Sequence, residues 1–222
     1  MKKQPIASSS HLDVTNKSQL MAADEQRDLS ICGCSLAEPG TTRFADAGAH
    51  DPTPTPYFIL EALFAEFGLS SDSHLLDVGC GTGRVLAYFA GSGQPGRATG
   101  VELDPDIAAR TAAWTDSFPQ LDVIHAGVLD IPLAPYTHFY LFNPFDTNVL
   151  TAFLAKIEDE AAGPIILIHA SDNGETYFYA GRDGWSLMRQ GEFQTYRTAR
   201  GRTFAFYDCP QHFSVWKYIP PA

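Results

Sequence analysis

Cysteine is scarce in this chain of 222 residues: there are four, Cys32, Cys34, Cys80 and Cys209, and no two of them stand at the spacing of a zinc site. Neither a disulfide framework nor a structural metal is expected, and at this length a single domain buries a core that needs neither. No apolar run approaches the roughly 20 residues of a membrane span. The first residues carry two lysines without the apolar stretch of a secretory leader, so a reduced, cytoplasmic protein is expected. Basic residues are also few, 15 against 26 acidic ones, which leaves a net charge of −11. Grip on nucleic acid is mostly phosphate neutralisation by Lys and Arg, so a nucleic-acid partner is not expected.

Glycine is not scarce, and in one place three glycines alternate. His74-Leu75-Leu76-Asp77-Val78-Gly79-Cys80-Gly81-Thr82-Gly83-Arg84 runs apolar, breaks at Gly79, Gly81 and Gly83, and resumes as a helix. This is a strand, a tight loop and a helix start. Without Cβ atoms the loop takes backbone conformations closed to other residues, and a ligand can lie directly on it. Free N–H groups and the positive dipole end of the following helix suit a carboxylate or a phosphate. The dinucleotide fingerprint is spaced G-x-G-x-x-G, whereas here the order is G-x-G-x-G behind Asp77, an acid that would repel a pyrophosphate beside it. A ligand carrying positive charge is favoured. About 20 residues beyond the loop, the short strand Arg97 to Glu102 ends in an acid that can accept from both hydroxyls of a ribose. The bland alternative is a plain turn and a solvated strand end; two pieces in register favour a nucleoside-type ligand.

Asp77-Val78-Gly79-Cys80-Gly81-Thr82-Gly83 resembles the first motif of class I S-adenosylmethionine-dependent methyltransferases. The resemblance implies S-adenosylmethionine as cofactor. It puts Asp77 near the amino group of the methionine part, Gly79, Cys80, Gly81 and Gly83 around the cofactor body, Glu102 on the ribose and Leu103 on the adenine, with Val128, Tyr57 and Asn143 also expected to touch the cofactor. In that family an acid two or three residues past the third strand often reads the adenine amino group. Gly127 stands there in this chain, with Asp130 three residues on, so backbone groups or Asp130 are expected to take that part. Thr55-Pro56 resembles a Thr-Pro that touches the methionine carboxylate in methyltransferases acting on amino groups. Equally, Thr55 reads as an N-cap with Pro56 at the first helical position.

Strand and helix signals alternate through the rest. Asp51-Pro52-Thr53-Pro54-Thr55-Pro56 is stiff and extended, because each proline fixes its own φ and biases its predecessor away from helix. A helix from Tyr57 to about Gly68 follows, with Phe58, Leu60, Leu63, Phe64 and Phe67 as its apolar face. Helices are expected from the glycine loop to about Ala90, from Asp106 to Trp114 and from about Thr147 to Glu160. Strands are expected at Leu121 to His125, Tyr136 to Phe142 and Pro164 to His169, and the alternation specifies a parallel sheet. From Trp185 to Tyr218 aromatic residues recur between turn signals and read as antiparallel strands. With the resemblance, the expected fold is α/β: a doubly wound, mostly parallel seven-stranded sheet, helices on both faces and a C-terminal antiparallel hairpin. Residues 1 to 40 read as a mobile or loosely attached arm, or a short helix laid on the domain of residues 41 to 222. Cys32-Gly33-Cys34 reads as loop, and Arg197, Arg200 and Arg202 as a solvated turn.

The acceptor side carries weaker marks. The strand ending at Phe142 runs into Asn143-Pro144-Phe145-Asp146, and ligands in open α/β sheets collect at such carboxyl ends. Amino-directed methyltransferases carry Asn-Pro-Pro-Tyr or Asn-Pro-Pro-Phe there, which this sequence resembles one proline short, so amino specificity does not transfer with it. Asn143 is a candidate positioner of the acceptor, or simply the end of the strand. His169 is a candidate base, while His125 and His138 read as satisfied strand residues. Phe145 and Tyr57 are expected to offer ring faces to the reacting methyl centre. The acceptor is a small molecule or a protein, with nitrogen as one option. The competing functions are a nicotinamide-dependent oxidoreductase and a protein that binds S-adenosylmethionine without transferring its methyl group.

Overall fold

The structure, a computed structural model, describes residues 14–38 and 40–221. In chain order the elements are α1 (Lys17–Cys32), α2 (Tyr57–Phe64), β1 (His74–Val78), α3 (Arg84–Gly91), β2 (Arg97–Glu102), α4 (Pro105–Thr115), β3 (Leu121–His125), β4 (His138–Phe142), α5 (Thr147–Glu160), β5 (Ile165–Ala170), β6 (Trp185–Phe193), β7 (Thr195–Arg197), β8 (Thr203–Ala205) and β9 (Gln211–Tyr218). The main sheet has the order β3-β2-β1-β4-β5-β9-β6. From β3 to β5 all neighbours are parallel, and β9 enters antiparallel between β5 and β6. The expected doubly wound, seven-stranded sheet is what the chain forms.

Its topology fixes where a ligand can lie. The strand order reverses at β1, with β2 and β3 to one side and β4 onward to the other, so a crevice opens at the carboxyl ends of β1 and β4. Alternate residues divide two apolar cores between the faces, as the two-residue period of a strand requires. Phe213 and Val215 pack with α2 and α3, whereas Trp216 and Tyr218 pack with α5. The C-terminal antiparallel pair is a long-range one. Strands β6 and β9 pair from Trp185 and Tyr218 to Phe193 and Gln211 with one register shift between Leu187 and Arg189, and the small hairpin β7-β8 is spliced in at their tip.

Two local expectations change. Helix α2 starts at Tyr57 with Pro56, not Thr55, at its N-cap and no capping side chain of its own. The Tyr57 N–H is instead taken by Asp24 of α1 at 3.2 Å, which leaves Thr55 free to bond the Tyr140 hydroxyl. Of the arm expected over residues 1 to 40, residues 1–13 and Pro39 lie outside the described residues. Residues 17–32 form a sixteen-residue helix, capped by Asn16 and closed by left-handed Gly33. It buries Leu20, Asp24 and Asp28, one residue per turn. Asp28, with no exposed surface, accepts from Arg84 Nη2 at 2.6 Å and Nε at 3.1 Å, from the Tyr57 hydroxyl at 2.8 Å and from the Leu36 N–H at 3.1 Å. A loosely attached arm is not what these residues form. Two of the three buried residues are acids, with Leu20 and Ile31 as the main apolar contacts, so no apolar periodicity announced the attachment.

Candidate functional site

The crevice is floored by the glycine loop. Gly79, Gly81 and Gly83 all have positive φ, and two of them are also closely packed. A Cβ on Gly79 would meet Pro144 at 2.7 Å, and one on Gly83 would meet Thr111 and Trp114 of α4 at 2.7 and 2.8 Å. The loop is held from α4 as well: the Thr111 hydroxyl donates to the Gly81 carbonyl and the Trp114 indole to the Thr82 carbonyl. These supports carry no motif and were not foreseen. Helix α3 has no capping side chain, so its first amides are left for a ligand anion. Cys80 serves by size. Its thiol is buried against Gly100, where a Cβ would come within 2.6 Å of Sγ, and burial pushes its pKa well up.

Two acids face this loop in different states. Glu102 accepts from the Gly81 and Asp104 N–H groups, both at 2.9 Å, and each oxygen keeps a further lone pair for a hydroxyl donor. Asp77 is 3% exposed, and its Oδ2 is buried with no hydrogen-bond partner. Burial, and then the neighbouring Glu102 carboxylate, hold its carboxyl far above the usual range. A buried acceptor without a donor is costly unless a ligand completes it. Asp77, Gly79, Cys80, Gly81, Thr55 and Tyr140 line one small cavity.

A larger cavity of about 300 Å³ adjoins it, sharing Val78, Gly79, Pro52, Thr53 and Phe142. Glu102, Leu103, Ile107 and Val128 line it, as does Asp130. A short turn, Val128–Asp130, swings the Asp130 carboxylate back so that a Cβ on Gly127 would lie 2.6 Å from Oδ2. The acid thus reaches in space the position from which it is displaced in sequence. Its volume suits a ligand of nucleoside size.

The roof is a strap that the sequence did not announce as part of the site. Thr42, Phe44, Ala49, His50, Pro52 and Thr53 line the larger cavity. At one end Arg43 makes a two-pronged pair with Asp104 (2.8 Å from both Nε and Nη2) and a second pair with Asp106. At the other end Ala49 bridges Phe145, the His50 N–H donates to the Pro144 carbonyl, and His50 Nδ1 donates to the Asn143 carbonyl at 2.8 Å. Only the proline run after His50 hinted at a segment crossing this rim.

The acceptor-side expectations fare unequally. Phe145 lines the larger cavity. Asn143 sits at the rim in left-handed conformation, φ 44°, but is not among the residues lining either cavity. Tyr57 is elsewhere. It is 2% exposed, bonded to Asp28 and covered by the guanidinium groups of Arg27 and Arg84, because Asp24 and Asp28 draw the start of α2 inward. His169 is also buried, with Nδ1 against the Tyr179 hydroxyl at 3.0 Å, and burial lowers its pKa to about 4. A neutral, enclosed imidazole of that basicity makes a poor proton acceptor. His138 is satisfied between Thr137 and the Phe67 carbonyl, and His125 is exposed at the end of β3.

Residues 75–159 match the family model of a methyltransferase domain. An RNA methyltransferase from Salinibacter ruber, solved in complex with S-adenosyl-L-homocysteine, is similar in fold at 15% identity and a TM-score of 0.55, over 77% of this chain and 95% of that one. An rRNA methylase from Streptococcus thermophilus gives 14% and 0.54, over 74% and 97%. A precorrin 8w decarboxylase from Methanobacterium thermoautotrophicum gives 17% and 0.54, over 76% and 93%. Identities this low speak for the fold alone. A search of curated proteins gave no match. The match covers less than half of the chain; over residues 75–159 the sequence and the strand order are similar to those of a methyltransferase domain. The matched stretch carries the glycine loop; α1, the strap and β5 to β9 lie outside it.

Proposed function

We propose that this protein transfers the methyl group of S-adenosylmethionine to an acceptor at the rim formed by the carboxyl ends of β4 and β5. The observation that carries the reading is the partnerless, buried Asp77 Oδ2 in the small cavity, which fits the ammonium of the methionine part. The N-terminus of α3 would receive the carboxylate, Glu102 the ribose hydroxyls, and Leu103, Val128 and Asp130 the adenine, the last through its exocyclic amino group. When bound, the cofactor supplies an activated methyl on a sulfonium. The protein has to hold, align and dry the reactants, which the Arg43 and His50 contacts of the strap favour. The acceptor is read as a small molecule or a protein, since a net charge of −11 works against nucleic acid. Four free cysteines favour a reducing compartment such as the cytoplasm. No helix among the described residues is long and apolar enough to cross a membrane.

Calorimetric titration with S-adenosylmethionine, S-adenosylhomocysteine and NAD tests the reading. Both sulfur nucleosides are expected to bind and NAD to be refused, because the loop lacks the G-x-G-x-x-G spacing that seats a pyrophosphate. Tight NAD binding without a response to either nucleoside would replace it with the oxidoreductase reading.

A further inference from the structure

Among the described residues the backbone is left-handed at three positions that are not glycine: Asn143 (φ 44°), Ser171 (φ 53°) and Asn173 (φ 50°). All three lie just past the carboxyl ends of β4 and β5. Such conformations persist where the surroundings over-determine them, commonly at functional sites. Between the last two sits Asp172, with no exposed surface. Its carboxylate accepts from the Gly174 N–H at 3.0 Å, from the Ser214 hydroxyl at 2.6 Å and from His212 Nδ1 at 2.5 Å. Since a carboxylate only accepts, Nδ1 carries the proton, and the lone pair of the neutral ring is on Nε2. His212 is 24% exposed, unlike Asp172 and His169.

Register places this imidazole at the reacting rim. Phe142 pairs with Ala170, and Ala170 with Phe213, which is the last row of the ladder; one residue further out on each chain, past the strand ends on β4 and β5, stand Asn143, Ser171 and His212. With strands spaced ~4.8 Å apart, His212 stands about 10 Å across from Asn143, a gap for one acceptor group. Glu175, whose Oε2 is buried without a partner, lies between Asp172 and His50: burial and Asp172 raise its pKa, and His50 pulls it back. His50 in turn lines the nucleoside-sized cavity and holds the Asn143 carbonyl.

We propose that His212, positioned by Asp172, is the general base of the methyl transfer and that the acceptor is a hydroxyl, phenolic or alcoholic. This rests on the methyltransferase reading above. A hydroxyl, with a phenol near pKa ~10, must shed its proton as it attacks, whereas a free amine attacks with its own lone pair and needs no such base. In the step, an oxygen lone pair of the acceptor forms the new O–CH3 bond while the S–CH3 bond breaks and its electron pair stays on sulfur. The hydroxyl proton passes to His212 Nε2, and the sulfonium becomes the neutral thioether of S-adenosylhomocysteine. Charged and titratable groups around His212 are Asp172 in the turn after β5, His169 on β5, Glu192 opposite on β6, and Glu175 beyond Asp172.

Two measurements test this. Nitrogen-15 NMR of histidine-labelled protein saturated with S-adenosylhomocysteine needs no acceptor; neutral His212 should be the Nδ1–H tautomer, and Asp172→Asn should convert part of it to Nε2–H. An Nε2–H ring in the unaltered protein overturns the proposal. Transfer of labelled methyl to catechol and to aniline is the second, with His212→Gln compared at matched nucleoside binding. Catechol should be the acceptor of the two, and the substitution should lower kcat by about 100-fold or more and remove the acidic limb of the pH profile, with S-adenosylhomocysteine affinity unchanged. Preference for aniline, methylation of neither probe, or a rate within two-fold of the unaltered protein (~0.4 kcal/mol) overturns it. Should the unaltered protein not bind S-adenosylhomocysteine at all, the cofactor reading fails instead.

Discussion

Asp77→Asn should move two measurements in opposite directions. In the ligand-free protein the Asp77 carboxyl is buried in β1, its Oδ2 lacks a donor, and burial and Glu102 hold its pKa well above 3.8. A carboxyl that holds its proton more tightly folded than unfolded contributes stability that is complete below pH ~3.8 and is lost as pH rises through the folded value. Asparagine has no charge to gain, so thermal stability without ligand should be unchanged or higher at pH 7, with a flatter pH dependence. Cofactor affinity should fall. A hydrogen bond to a charged group is worth about 1.5–3 kcal/mol, which corresponds to roughly 10- to 150-fold in Kd for S-adenosylhomocysteine. Because Asp77 surrenders its proton when an ammonium arrives, binding to the unaltered protein should also release protons. Calorimetry in buffers of different ionisation enthalpy reads that release, and the variant should lack it. Parallel loss of melting temperature and affinity, or unaltered affinity, would make Asp77 a structural residue and refute the assignment.

Asp24 is 7% exposed, and its pKa is raised from 3.8 to about 6, chiefly by burial and against the pull of Arg84. Its contribution, roughly 3 kcal/mol for about two pH units, is complete below pH ~3.8 and lost as pH rises through ~6, so Asp24→Asn should flatten the pH 4–7 stability curve in chemical denaturation. Gly79→Ala puts a Cβ at φ 67° and 2.7 Å from Pro144, and should cost about 1–2 kcal/mol of stability for the backbone alone, with further loss of nucleoside binding as the Pro144 turn is displaced. Arg43→Ala cuts the strap from Asp104, a carboxyl that Arg43 holds down at about 2. Stopped-flow measurement should show faster dissociation of S-adenosylhomocysteine with little change in melting temperature, as expected of an exposed pair.

What could be read from the sequence was whatever local chemistry dictates. The Gly79-Gly81-Gly83 spacing, the acid ending β2 and the strand-helix alternation are all decided within about 30 residues of chain, and each landed where it was expected. The misplacements share a cause: a remote partner claimed a group that looked free. Tyr57 and the start of α2 were claimed by Asp24 and Asp28, more than 25 positions away, and Thr55 by Tyr140. His169 ends a strand at the right rim, but the two-residue period of β5 turns its ring into the core against Tyr179. His212 ends no motif at all. It reaches the same rim only because β9 runs antiparallel between β5 and β6, a pairing between segments 40 positions apart that no spacing rule exposes.

The floor of the crevice and its surroundings are therefore built by different means. Within residues 75–159 the site is made by backbone: glycines, strand ends and a short turn that carries Asp130 back over Gly127. Outside them it is made by charge. Asp28 grips Arg84, the first residue of α3, so the helix whose N-terminus faces the small cavity is anchored from behind by α1. Arg43 grips Asp104, the N-cap of α4, and so clamps the strap to the helix that packs on Gly83. A buried ion pair broken on one side typically costs 3–5 kcal/mol, whereas an exposed one costs little. The two grips accordingly differ in weight: the one on Arg84 ties the floor to α1 through a buried pair, and the one on Asp104 ties the strap through an exposed pair that contributes little to stability.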